Sequence, residues 1–337
     1  MLTKFLTAGA FALMMTSTAS AETTLRFGTW VPETTHPTPG FKAWMESLQD
    51  ASGGEIKVDL YPSGQLGNPR DHYNMARDGI ADLTWAVPAF EPGRFPIFAA
   101  MEMPFMTTDA AKASGVFHEW YAQYADEEMS ETKFCFVTMA PNGKLSFKDR
   151  EVVHYAEIAG LRMRPAGTLV TKYFTDAGAV PVAIPAPEAQ QAFDRGMLDG
   201  IAFPTRTLIP FGMDRSVFYH QQMIFYAVPA AVVFNKRSYD RLSEQGRAAV
   251  DAHCTPEWSE RINGMWSDWE AEANQILAES DDRHVFFDIP AEAQAEWIAA
   301  SLPIRDAWMA DVADDLDDPQ AALDQLLDAL AQAGVAY

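Results

Sequence analysis

The sequence predicts an α/β protein built as two strand-and-helix units, with the chain crossing between them more than once. Two observations carry this. Strand and helix patterns alternate in β-α-β-α-β order up to residue 90, and the alternation resumes from residue 133 and ends on an apolar strand near 231. The order of the first stretch argues for an open, largely parallel sheet.

Residues 24–29, TLRFGT, form the first expected strand, and the loop WVPETTHPTPG leads into a helix pattern around 41–48. GGEIKVDLYPSGQLG reads as a Gly-Gly turn, an alternating strand and a second turn, and PRDHYNMARDGIADLTWAVP as helix, turn and a strand ending at Trp85. Further on, TKFCFVTMA and GLRMRPAG are strands, TLVTKYFTDAG a helix, AVPVAI a strand, APEAQQAFDRGML a helix, DGIAFP the end of a strand, and AAVVFNKRSYDRL an apolar strand again. Thr255-Pro256 marks a helix start, with Thr as N-cap and Pro in the first turn. Trp258, Ile262, Trp266 and Trp269 follow at helical spacing, the pattern of a packed face, and helices fill the chain to Tyr337.

The N-terminus has the form of an export leader: a basic Lys4, an apolar run from Phe5 to Met15, and Ala19-Ser20-Ala21 as cleavage pattern, which places the mature start at Glu22. The apolar run is well short of the roughly 20 residues of a membrane span, and no lipid-accepting cysteine follows. Cleavage leaves 316 residues, room for two domains, and moves the formal charge from −22 to −23. That charge makes nucleic acid and anionic membrane surfaces poor partners. Cys135 and Cys254 are the two cysteines; a disulfide and two buried thiols are both open readings.

No GxSxG, CxxC, HExxH, GxGxxG after a strand or GxxxxGK[ST] is present, and the seven histidines are scattered. Nothing here assembles a catalytic, metal or cofactor constellation, so an exported two-unit α/β chain of this kind reads most simply as a binding protein. GLRMRPAG, residues 160–167, is then the most informative stretch. On an extended chain Arg162 and Arg164 point to one side and Leu161 and Met163 to the other. An arginine beside a buried sheet needs a partner, and the strand supplies no carboxylate.

Four segments together, HPTPGFKAWMESLQDASGGEIKVDLYPSGQLG, DGIADLTW, EIAGLRMRPAG and QQAFDRGMLDG, resemble the solute-binding proteins of tripartite ATP-independent periplasmic (TRAP) transporters over nearly the whole mature chain. The resemblance implies a periplasmic binding protein fold of the Venus-flytrap kind, with two lobes joined by crossing strands and a long interlobe helix. It places lobe 1 at 22–143 plus about 231–270, and lobe 2 at 144–230 plus about 271–337, after the 1–21 leader. It implies a periplasmic location, no enzymatic activity, no cofactor, and a partner pair of small and large membrane permease subunits driven by an ion gradient. It also implies that the second arginine of the motif, Arg164, grips a ligand carboxylate, a role suited to the bidentate guanidinium fork. Arg162 is left as a solvated or structurally paired arginine.

Departures from the family pattern point to the ligand. Sialate- and many dicarboxylate-type members carry another arginine soon after an Asn-Gly; PNGKLSFKD places Leu145 there, with Lys144 beside it. Such members also have Asn before a proline where DGIAFP places Phe203. An apolar wall with one carboxylate clamp suits an aromatic or amphipathic monocarboxylate. Trp30, Trp85, Phe225 and Tyr226 sit at strand ends, where open α/β sheets bind ligands, and His36 in the first loop is a candidate donor to a ligand oxygen. The alternatives are a C4-dicarboxylate or 2-oxo acid, and an ectoine-like zwitterion held as a cation by tryptophans. Outside the family they are an ABC-type binding protein and a secreted enzyme on the same scaffold.

Overall fold

A computed structural model describes residues 22–337; the expected leader, 1–21, lies outside the described residues. Eleven strands form two sheets among the described residues: β1 (Thr23–Gly28), β2 (Ile56–Tyr61), β3 (Leu83–Ala86), β4 (Lys133–Met139), β5 (Lys144–Phe147), β6 (Arg162–Arg164), β7 (Val180–Pro181), β8 (Gly200–Phe203), β9 (Tyr219–Gln221), β10 (Pro229–Phe234) and β11 (Val285–Phe287). The first sheet has the order β2-β1-β3-β10-β4, the second β11-β9-β5-β8-β6-β7.

The expected parallel pairing holds for β1 with β2 and β3. The returning strand β10 instead enters antiparallel between β3 and β4. Its direction is set by where it comes from, since the chain re-enters the first sheet from the second after β9. AVPVAI shrinks to the two-residue β7, because Pro181 has no N–H to continue a ladder.

Two connections cross between the sheets, 140–143 on the way out and 222–228 on the way back, and they pair with each other. Gly143 N donates to Tyr226 O at 2.8 Å, Phe225 N to Gly143 O at 2.9 Å, and Ala140 N to Val228 O at 2.9 Å. A Cβ on Gly143 would collide with the Tyr226 ring, so glycine is what lets that ring lie flat against the crossing. The Pro256–Glu270 helix is the third link. It packs on β4, where Ser259 Oγ accepts from Val137 N at 3.1 Å and Asn263 Oδ1 from Met139 N at 2.8 Å, and the chain runs on from it to β11. Thr255 stands at its N-cap and Pro256 in its first turn, but the Thr255 side chain makes no capping bond to the helix.

The core of the first sheet gathers Phe27, Phe41, Trp44, Phe136, Val232 and Phe234 around a Cys135–Cys254 disulfide. A second apolar core runs under β5 and the Thr168–Asp176 helix and reaches Trp297, Trp308 and Leu326 of the C-terminal helices. The last of these, Pro319–Gln332, packs on the Ala110–Ala122 helix, where Trp120 Nε1 donates to Ala322 O at 3.0 Å.

Candidate functional site

The two arginines of GLRMR meet different surroundings. Arg162 reaches outward, and its partner comes from just before β8: Asp199 accepts from Arg162 Nε at 2.8 Å, from Nη2 at 2.5 Å and from the backbone N at 2.8 Å. Hydrogen bonding from Arg162 holds the Asp199 carboxyl below its usual range. Arg164, at the end of β6, is 3 % exposed. Its Nε donates to Ile184 O at 3.1 Å and its Nη1 to Ala202 O at 3.4 Å. Two of its five N–H donors are thus used, both on neutral carbonyls, and among the described residues no carboxylate stands within ion-pair distance. Burial pushes its pKa down from 12.5 to about 10, so it remains a cation at neutral pH.

Arg164 faces a cavity of about 570 Å³ of empty space, open solvent at its mouth included. It is the one formally charged side chain in the described lining. The walls are apolar and aromatic. Trp30 and Trp85 lie face to face with ring centres 5.0 Å apart and planes 4° from parallel, and Phe90 and Phe211 flank Trp30. Phe203 is buried edge-to-face against Phe211 at 5.8 Å, with the Arg164 guanidinium 5.4 Å from its ring centre. Tyr226 lines the crossing side, and burial pushes its phenol pKa up. His36 stacks on Trp269 at 5.3 Å; burial, then the Arg206 charge, push its imidazole pKa down, which favours the neutral ring.

Six of the residues singled out from sequence therefore come together: Arg164, Phe203, Trp30, Trp85, His36 and Tyr226. Two do not. Phe225 is fully buried in the neighbouring core, stacked on Phe174 with ring centres 5.9 Å apart. It packs edge-to-face on Tyr226 with ring centres 5.6 Å apart, and of the two only Tyr226 is in the described lining. Lys144 donates from Nζ to Gln222 Oε1 at 2.8 Å, away from the cavity lining. Leu145 is also core, so neither residue of that pair stands where a second cation would serve a ligand.

The lining also contains residues the sequence did not flag, among them Thr207, Phe211 and Trp266. Trp266 reads as one member of a packed helical stripe and does pack, edge-to-face on Trp85 at 6.2 Å, yet it reaches the cavity as well. Among the described residues no cluster of three or more His, Cys, Asp or Glu is placed to hold a metal ion. The chemistry on offer is binding: one desolvated cation at the edge of an aromatic box.

The family model for bacterial extracellular solute-binding protein, family 7 (DctP), matches residues 27–311. A solute-binding protein of Verminephrobacter eiseniae is 25% identical over 244 residues, covering 70% of this chain and 72% of its own. Two solved structures superpose with a TM-score of 0.87 at 26% identity over 93% of this chain. One, covered over 99% of its length, is a marine metagenome TRAP solute binding protein specific for aromatic acid ligands, in complex with 3-hydroxybenzoate. The other, covered over 98%, is a TRAP solute binding protein from Rhodoferax ferrireducens with copurified benzoate. With this fold and a family match spanning most of its length, the chain belongs to the bacterial extracellular solute-binding proteins of family 7, the DctP family.

Proposed function

We propose that this protein is the periplasmic receptor of a TRAP transporter for an aromatic or amphipathic monocarboxylate, which it hands to the small and large membrane subunits of its permease. The observation that carries the reading is Arg164, a buried cation beside an aromatic cavity with no carboxylate partner among the described residues. Leaving a charge desolvated and unpaired is costly unless an anion arrives to pair with it. A ligand carboxylate fits the three unused N–H donors, and a flat apolar body fits the walls of Trp30, Trp85 and Phe203. The solved relatives at 26% identity bind 3-hydroxybenzoate and benzoate, in line with this. Residues 1–21 act as the export leader in this reading. The lobes are 22–143 with about 231–270, and 144–230 with about 271–337, closing over the solute from either side of the paired crossings.

Isothermal titration of the mature chain, from Glu22, against benzoate, succinate and ectoine tests the proposal. Benzoate should bind and the other two should bind at least about tenfold more weakly, because the lining offers neither a second cation nor a carboxylate. Preference for succinate or ectoine would refute it.

A further inference from the structure

The cavity holds more hydrogen-bond donors than a carboxylate on Arg164 can use. Trp30 Nε1, Trp266 Nε1 and His36 Nδ1 are buried without a partner in the chain, and all three residues line the cavity. Other buried indoles are satisfied: Trp85, also in the lining, donates to Thr138 Oγ1 at 2.7 Å, Trp44 to His253 O at 2.8 Å, Trp297 to Val153 O at 2.8 Å and Trp308 to Pro96 O at 2.8 Å. Among the described residues, the two buried indole N–H groups left without an acceptor are therefore both at the place a ligand would fill. An orphaned buried donor is costly, and a site keeps one when something else supplies the acceptor.

Where these donors sit decides what they require. Arg164 comes from β6 of the second sheet. Trp30 follows β1, and Trp266 lies on the helix packed against β4, so both belong to the first sheet's side. An indole N–H only donates, so the group facing it must accept. A ligand ammonium has the wrong polarity. A second carboxylate would accept but bring a charge for which the lining has no second cation. An uncharged oxygen satisfies both conditions. If that oxygen is a hydroxyl, its own proton can go to His36 Nδ1, the remaining unpartnered atom of the lining, in the tautomer that leaves Nδ1 bare.

Building on the reading of the chain as an aromatic-acid receptor, we infer that its solute carries a second, uncharged oxygen, a hydroxyl or oxo group, that accepts a hydrogen bond from Trp266 Nε1. Trp266 is then a specificity-determining residue, and the ligand is held by polar contacts from both sheets rather than from Arg164 alone.

Titration of benzoate, 3-hydroxybenzoate, 4-hydroxybenzoate and phenylglyoxylate against wild type and Trp266→Phe tests this. At least one oxygen-bearing acid should bind wild type about 3- to 10-fold more tightly than benzoate, the worth of one net hydrogen bond. Trp266→Phe, which keeps an aromatic ring and removes the N–H, should erase that margin and leave benzoate within about twofold. Benzoate binding wild type as tightly as every substituted acid overturns the inference. So does a margin that survives the substitution, or a loss that benzoate shares equally. The wild-type ranking decides the matter even should the variant not fold. If none of the four acids binds wild type, the receptor assignment falls as well; if benzoate binds and the margin is missing, only the role of Trp266 falls.

Discussion

Replacing Arg164 by methionine should move stability and binding in opposite directions. In the empty site the guanidinium is destabilised by burial, and the fall of its pKa from 12.5 to about 10 corresponds to roughly 3 kcal/mol against the charged form. The sign follows from the depressed pKa of a base: the group is protonated in folded and unfolded chains at pH 7, so the cost is present at every pH below about 10 and disappears as pH rises toward 12.5. Methionine of similar length removes that cost. It also strips Ile184 O and Ala202 O of their donor, which takes back about 1 kcal/mol. The net expectation is an empty protein more stable by about 1–2 kcal/mol, in line with replacements of buried ions by apolar groups. Binding should fall by roughly 2–5 kcal/mol, about 30- to several-thousand-fold, because the ligand carboxylate loses its partner. Arg164→Lys should also lose affinity, since a point charge cannot reproduce the fork. Urea unfolding without ligand and titration with benzoate measure the two effects. An empty Arg164→Met protein destabilised by more than about 1 kcal/mol, or one binding benzoate within about threefold of wild type, refutes the reasoning.

Arg162→Ala should leave benzoate affinity within about threefold, because its guanidinium is spent on Asp199 outside the cavity; a loss matching that of Arg164→Met would show the two arginines acting together. Phe203→Asn should weaken benzoate about 3- to 10-fold by removing a ring contact and burying an amide, while succinate is unaffected or gains; titration of both acids checks it. Glu102 is buried and its carboxylate accepts from Thr168 N at 2.7 Å; burial raises its pKa from 4.5 to about 7. A carboxyl raised in the folded state contributes stability that is full below about 4.5 and lost as pH climbs through about 7, up to roughly 3 kcal/mol. Thermal midpoints of wild type should therefore fall relative to Glu102→Gln between pH 5 and pH 8, and parallel profiles would count against this. Methyl benzoate, with the ring kept and the charge removed, should bind at least about 30-fold more weakly than benzoate.

How far the site was legible depended on parity. Within GLRMR the two arginines share a side of the strand, and telling them apart took the resemblance to a family; the physical difference is Asp199, a partner 37 residues on that only the fold brings alongside Arg162. Phe225 and Tyr226 are chain neighbours whose rings touch, and local pattern cannot say which of them also lines the cavity. Trp266 was hidden for another reason. It has the spacing of a packed helix face and does pack on Trp85, while its N–H points to a second role that periodicity does not encode. The Cys135–Cys254 bond joins residues 119 apart, so choosing between a disulfide and two thiols required the sheet that sets β4 beside the start of the Pro256–Glu270 helix.

On the proposed reading, the position of Arg164 ties ligand capture to a cavity lined from both sheets. Three residues beyond it, Gly167 begins the turn into the Thr168–Asp176 helix, and a Cβ there would collide with the Glu102 carboxylate, which comes from the Phe98–Glu102 turn in the same core. The strand end bearing the cation is thereby fastened, through a buried hydrogen bond from Thr168, to a segment that follows the first sheet's β3. Tyr226 closes the other flank by lying against Gly143 where the crossings pair. A guanidinium on a loose loop could turn to water and escape its desolvation. Held between these two contacts it stays desolvated, and on the proposed reading a ligand carboxylate offsets that cost. On that reading, loosening the Gly167–Glu102 contact should reduce discrimination between benzoate and its methyl ester before it reduces apolar binding itself.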